Sequence, residues 1–168
     1  LREADAAILA VKLKERADRF LRFGTTTIEA KSGYGLSVEA ELKSLRVIKD
    51  VGSSHALDMV PTFMGAHEIP DEYRERRGEY VDLLVGEMIP AVAHARLAEY
   101  CDVFCEDHVF TVDESRRILL AAKSVGLRGR VHADESTCTH GAELAAEVGA
   151  TTADHLVFVS DEGIRRMA

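Results

Sequence analysis

Gly129-Arg130-Val131-His132-Ala133-Asp134-Glu135 is a short β-rich run that ends in polar side chains able to do chemistry, and the pattern recurs along the chain. Thr25-Thr26-Thr27-Ile28-Glu29-Ala30-Lys31 runs into Ser32-Gly33-Tyr34, and Leu57 to Met64 runs into Gly65-Ala66-His67. Asp102-Val103-Phe104-Cys105 leads to Glu106, and Thr151-Thr152-Ala153-Asp154 leads to His155. From Tyr34 through His67, Glu106 and His132 to His155 the intervals are 33, 39, 26 and 23 residues. Each interval is the length of one strand plus one helix. Such alternation implies a parallel sheet with right-handed crossovers, whose strand carboxyl ends gather the functional groups.

The stretches between these runs read as helices. Residues 3–23 carry a helical apolar stripe (Ala7, Ile8, Val11, Leu13, Ala17, Phe20, Leu21) stopped by Gly24. Ser37, with Glu39 and Glu41 behind it, opens a second helix that Gly52 ends. The connection over 69–99 is the longest; a short helix near Asp71–Arg76 and a longer one, Tyr80–Met88 extended past Pro90 to Tyr100, are expected in it. Thr111-Val112-Asp113-Glu114 is an N-terminal signature for a helix over 114–125, since a hydroxyl or carboxylate satisfies free amide protons there. His140–Val148 and a helix from Ser160 complete the series. The strands expected are Thr25–Ala30, Leu57–Met64, Val103–Cys105, Arg130–Ala133 and Thr151–Leu156.

Two architectures fit this order. A doubly wound sheet would carry a phosphate-binding signature, yet neither G-x-G-x-x-G nor a Walker sequence occurs. Polar residues at every strand end, rather than at one crevice, favour a barrel. An eight-stranded barrel needs roughly 250 residues. The expectation is therefore an α/β chain forming part of a (β/α)8 barrel, about five consecutive βα units as a single segment over 1–168. The chain does not begin with Met and its last residues read as a helix cut short, so a piece of a longer polypeptide is expected.

The composition is that of a globular protein, with 46% hydrophobic and 30% charged residues. A formal charge of −8 without basic clusters argues against nucleic acid, and the apolar runs are too short to cross a bilayer. Residues 1–20 read as a charged amphipathic helix rather than a secretory signal, which makes the cytoplasm the default. Cys101, Cys105 and Cys138 lack the spacing of a disulfide framework or zinc ribbon.

His132 is the first candidate for chemistry. A neutral imidazole at a strand end can ligate zinc or iron, and Glu135 can reach a metal-bound water. The competing reading is a partly buried histidine paired with Asp134. His155 could be a second ligand or could polarise a carbonyl and relay protons, although an Asp-His pair is often structural. His67, among small neighbours, suits substrate contact or a capped loop. Tyr34, between two glycines, suits a mobile loop over the barrel mouth or a plain turn. Glu106, Lys31 and Glu29 read as an internal charge network in the mouth. His140 could cap its helix.

The segments Gly24 to Leu36, Phe63 to Pro70, Cys101 to Glu106, Val131 to Glu135 and Gly149 to Leu156 together resemble, in order, the imidazolonepropionase family of metal-dependent amidohydrolases. That resemblance implies a (β/α)8 barrel that hydrolyses 4-imidazolone-5-propanoate to N-formimidoyl-L-glutamate in histidine breakdown, with one zinc or iron per site. It implies His132 as metal ligand, Glu135 as the carboxylate that touches substrate and moves protons, and His155 as the histidine near the scissile carbonyl. Tyr34 and His67 are implied as substrate contacts, and a homodimer as the full-length form. The family's metal site also needs a His-x-His pair and an Asp, and its substrate site an arginine; this chain has none of them, nor the small β-sandwich domain. The segment alone is therefore expected to be inactive. Two rival readings are a deaminase of purine or pyrimidine bases and a non-catalytic α/β binding domain.

Overall fold

A computed structural model describes residues 1–168. Helix α1 (Ala6–Arg22) precedes β1 (Thr27–Lys31), α2 (Val38–Gly52) and β2 (Asp58–Ala66). A 3₁₀ turn (Asp71–Arg76) leads to α3 (Arg77–Leu83), a π-helical turn (Leu84–Met88) and α4 (Ile89–His94). The chain continues through β3 (Tyr100–Cys105), α5 (Val112–Ser124), β4 (Arg128–Ala133), α6 (Gly141–Val148), β5 (Thr152–His155) and α7 (Asp161–Met167). The five strands lie in the order β1-β2-β3-β4-β5, every pair parallel. A doubly wound sheet reverses its order at a switch point; this one never does. The sheet is the curled wall of a partial (β/α) barrel.

Several expected helix ends are built as the residues dictate. The Ser37 and Ser160 side chains accept amide protons at the starts of α2 and α7, and Thr111 with Glu114 forms a reciprocal capping box on α5. The helix expected to reach Tyr100 does not. Pro90 has no N–H to donate and its ring crowds the carbonyl four residues back. The ladder widens before it, with Ile89 N–H donating to Leu84 O five residues earlier. The helix stops at His94, Arg96 takes a φ of +51°, and Tyr100 is instead the first residue of β3.

Strand alternation divides the wall into two faces. Ala30, Phe63, Cys101, Val103, Cys105, Val131 and Ala133 face the helices and are buried in one apolar cluster with Leu45, Leu84, Ile89, Ile118 and Leu144. The registered rows on the other face are polar: Lys31 with Thr62, Asp102 with Arg130 and Thr152, Phe104 with His132 and Asp154. Arg130 lies over the Tyr100 ring at 4.1 Å, and its Nε is 3.2 Å from Glu29 Oε1.

β2 breaks this alternation once. Phe63 pairs with Cys101 but Ala66 pairs with Val103, so β2 holds one residue more than β3 across that interval. A single extra residue exchanges the faces of everything after it. Without the bulge His67 would follow the helix-facing row; with it, His67 turns to the polar face. The Tyr80 hydroxyl, fully buried, donates to Gly65 O at 2.8 Å and pins the bulge. Gly65 is required there, because a Cβ would lie 2.5 Å from Phe63 Cζ.

Candidate active site

Asp102 is the centre of the polar face. It is 0% exposed. Its Oδ1 accepts a hydrogen bond from His132 Nδ1 at 2.9 Å, and its Oδ2 accepts one from Lys31 Nζ at 2.5 Å. His67 Nε2 lies 3.2 Å from Oδ1, at ion-pair distance but off the line of a hydrogen bond, so this buried nitrogen has no hydrogen-bond partner. Burial by itself would raise the Asp102 pKa; His132 and His67 beside it reverse that and hold the carboxyl far below the usual carboxylate range. Burial is the dominant influence on His67 and pushes its imidazole below the ordinary value against the pull of Asp102.

An ionised carboxylate only accepts. Nδ1 of His132 must therefore carry a proton, and in the neutral ring Nε2 then holds the lone pair. That lone pair faces a cation already, Lys31 Nζ at 3.5 Å. The His155 ring lies 5.1 Å from the His132 ring, and His155 Nε2 lies 3.4 Å from Glu135 Oε2. His67 meets His132 edge-on at 4.6 Å between centroids and stacks on Phe104 at 5.9 Å.

His155 pairs with Ala133 in the register, a helix-facing row, yet its ring reaches the site. Its φ of +72° ends the alternation there. Asp134 (+51°), Leu156 (+57°), Tyr34 (+57°) and Leu36 (+54°) share this left-handed conformation in the loops after strands. Such conformations are costly for residues with a Cβ and collect at functional sites.

Four of the five residues expected at the site converge here: His67, His132, Glu135 and His155. Tyr34 stands apart in the loop after β1, 61% exposed and without a hydrogen bond or ring contact to the other four. Three further expectations are corrected. His132 pairs with Asp102, not Asp134, because Asp134 is turned into the loop and accepts amide protons from Thr139, Gly141 and Ala142. It thereby caps α6, whose flanking His140 bonds Glu143 instead. Glu106 does not join the charge network of Glu29 and Lys31; it accepts from Glu135 N, Ser136 N and Thr137 Oγ1.

Side chains of metal-ligating type gather at this point, with candidate donor atoms of His67, Asp102 and His132 all within 4.8 Å of one another. Of these, His132 Nε2 is the donor that suits a metal ion, with Asp102 held behind the ring. A histidine that ligates through one nitrogen almost always gives its other N–H to a carboxylate, which is the arrangement of His132 and Asp102.

Over 163 residues the chain is 59% identical to the imidazolonepropionase of Solibacter usitatus, an alignment that covers 97% of this chain and 39% of that protein. It is 53% identical over 167 residues to the imidazolonepropionase of Clostridium tetani, covering 99% of this chain and 40% of the relative. The imidazolonepropionase of Geobacillus kaustophilus matches at 54% over the same length, 99% of this chain and 39% of that protein. Along nearly its whole length the chain is similar to proteins named imidazolonepropionase. No protein-family model matches it, and the chain spans about two fifths of the length of these curated relatives.

The residues that sequence reasoning passed over are Asp102 as the partner of His132 and Glu106 as a loop anchor. A signal existed for Asp102. In Tyr100-Cys101-Asp102-Val103-Phe104-Cys105 it is a carboxylate within a strand otherwise made of apolar and aromatic residues, two positions before the row of His132. No helix is long and apolar enough to cross a membrane.

Proposed function

We propose that this chain is the central part of a hydrolase that opens the ring of 4-imidazolone-5-propanoate to give N-formimidoyl-L-glutamate, a step of histidine degradation. The observation that carries the reading is the bond between His132 and Asp102, which leaves an imidazole lone pair on a rim shared with Glu135 and His155. Similarity to proteins named imidazolonepropionase supplies the substrate class.

His132 would hold the metal through Nε2, with Asp102 fixing the ring and its tautomer; the remaining ligands lie outside these residues. Bound there, zinc or iron would acidify a water and polarise the ring carbonyl. Glu135 takes the proton of the attacking water as oxygen adds to the carbonyl carbon, and returns it to the ring nitrogen as the C–N bond breaks. His155 donates to the oxygen that gains charge, an interaction worth about 3 kcal/mol for a well-aimed donor. Its closeness to Glu135 lets the two groups act on adjacent atoms of one substrate. His67, with its unpartnered buried nitrogen, binds the substrate, and Tyr34 closes over it from the loop after β1. The same reading makes the full-length protein a cytoplasmic homodimer acting on a small molecule.

The test is steady-state kinetics of the full-length protein with imidazolone, guanine and cytosine substrates. Only the imidazolone should turn over. Glu135→Gln and His155→Ala should each lower kcat by about 100-fold or more. Near-wild-type turnover in either variant removes that residue from the mechanism, and turnover of a base instead replaces the proposed substrate.

A further inference from the structure

Glu106 follows β3 directly and is 0% exposed. No Lys, Arg or His forms an ion pair with it. A buried carboxylate without a cation is costly unless hydrogen bonds to it are complete. Those of Glu106 all go to one loop. Oε1 accepts from Glu135 N at 2.7 Å and from Ser136 N at 3.0 Å, and Oε2 accepts from Thr137 Oγ1 at 3.0 Å. Two consecutive amides converge on one charged oxygen, a strong and directional arrangement.

The same loop is held from its other side. Asp134, also 0% exposed, accepts from Thr139 N at 2.9 Å and Ala142 N at 3.1 Å, which ties the turn to the start of α6. Thr139 Oγ1 donates to Cys105 O at 3.2 Å. Between the two anchored carboxylates sits Glu135, whose own side chain is 38% exposed and touches His155 alone among ionisable groups. Its carboxylate makes no other hydrogen bond or ion pair. The direction of its Cα–Cβ bond is set by its backbone, and its backbone amide is held by Glu106.

We propose that Glu106 is a positioning residue for Glu135: it aims the Glu135 carboxylate at the reacting atoms by fixing the loop that carries it. The proposal rests on the reading of Glu135 as the proton carrier. A displacement of about 1 Å at a reacting group can cost about 100-fold in rate, so the effect belongs in kcat.

A double-mutant cycle in the full-length protein tests this, with metal content measured on each variant. Glu106→Ala should lower kcat by about 10- to 100-fold with KM changed by less than about threefold. Glu106→Gln, whose amide oxygen accepts the same two N–H groups, should keep most of the rate. In a Glu135→Gln background the loss from Glu106→Ala should shrink to less than about twofold, because the group being aimed is already gone. Should Glu106→Ala fail to fold, Glu106→Asp, which withdraws the carboxylate by one methylene, takes its place in the cycle with the same vanishing effect. Equal losses in both backgrounds overturn the positioning role and leave Glu135 as the proton carrier. Wild-type turnover by Glu135→Gln alone overturns both.

Discussion

His132 Nδ1 and Asp102 Oδ1 are 2.9 Å apart, on adjacent strands and one register step removed along the polar face. The bond decides which nitrogen of His132 is free. Replacing Asp102 with Asn keeps the shape but not the charge, and lets the ring choose either tautomer. Metal affinity of the full-length protein, measured by competition with a chelator, should fall about 10- to 100-fold. An unchanged affinity would remove Asp102 from the support of the metal.

Tyr80→Phe should destabilise the fold by about 1–3 kcal/mol, since the buried Gly65 carbonyl at the β2 bulge loses its donor. Denaturant unfolding measures it. Because that bulge turns His67 to the polar face, KM should rise as well. A midpoint equal to wild type would show that the bulge holds without the tyrosine.

Gly141→Ala tests the contact between α6 and the end of β4. A Cβ there would lie 2.8 Å from Ala133 Cβ and 3.1 Å from Ala133 Cα, backbone and side chain that have no room to withdraw. A loss of about 1–3 kcal/mol is expected. Gly78→Ala in α3 is the control: its Cβ would meet nothing within 4 Å, and the helix should gain about 0.5–1 kcal/mol. Thermal melts of the two variants should move in opposite directions.

Glu114 gives the fold a pH dependence. Partial burial would raise its pKa, but the hydrogen bonds from Arg77 and from Thr111 N–H outweigh it and hold the group below its ordinary 4.5. A depressed acid stabilises the folded state above its unfolded value and loses that contribution as pH falls through the folded one. The stability gap between wild type and Glu114→Gln should therefore be full at pH 6 and narrow below about pH 4.5, followed by unfolding at each pH. A gap constant with pH would mean that the charge of Glu114 contributes nothing.

The regular order of strand and helix was legible because it rests on local chemistry. Gly24, Gly126 and Gly149 end helices in the left-handed conformation that only glycine adopts cheaply, and serines and a threonine start them. Alternation also placed His67, His132 and His155 near strand ends, and four of the five candidate residues do meet. The expectation failed only over 95–100: helix continues past Pro90 to His94, through a π-helical turn ahead of the proline, but then stops short of Tyr100.

What the residues alone determined is therefore the succession of elements and the kinds of side chain at their ends, since both depend on neighbours within a few positions. Which partners those side chains find depends on register, and register is set between strands far apart in the chain. Asp102 rather than Asp134 meets His132 because β3 lies beside β4 with Phe104 opposite His132. One extra residue in β2 brings His67 inward, and a left-handed His155 turns its ring to the same rim. Side-chain direction reverses with every residue along a strand, so a single bulge or bend, invisible in the pattern, decides what faces the site.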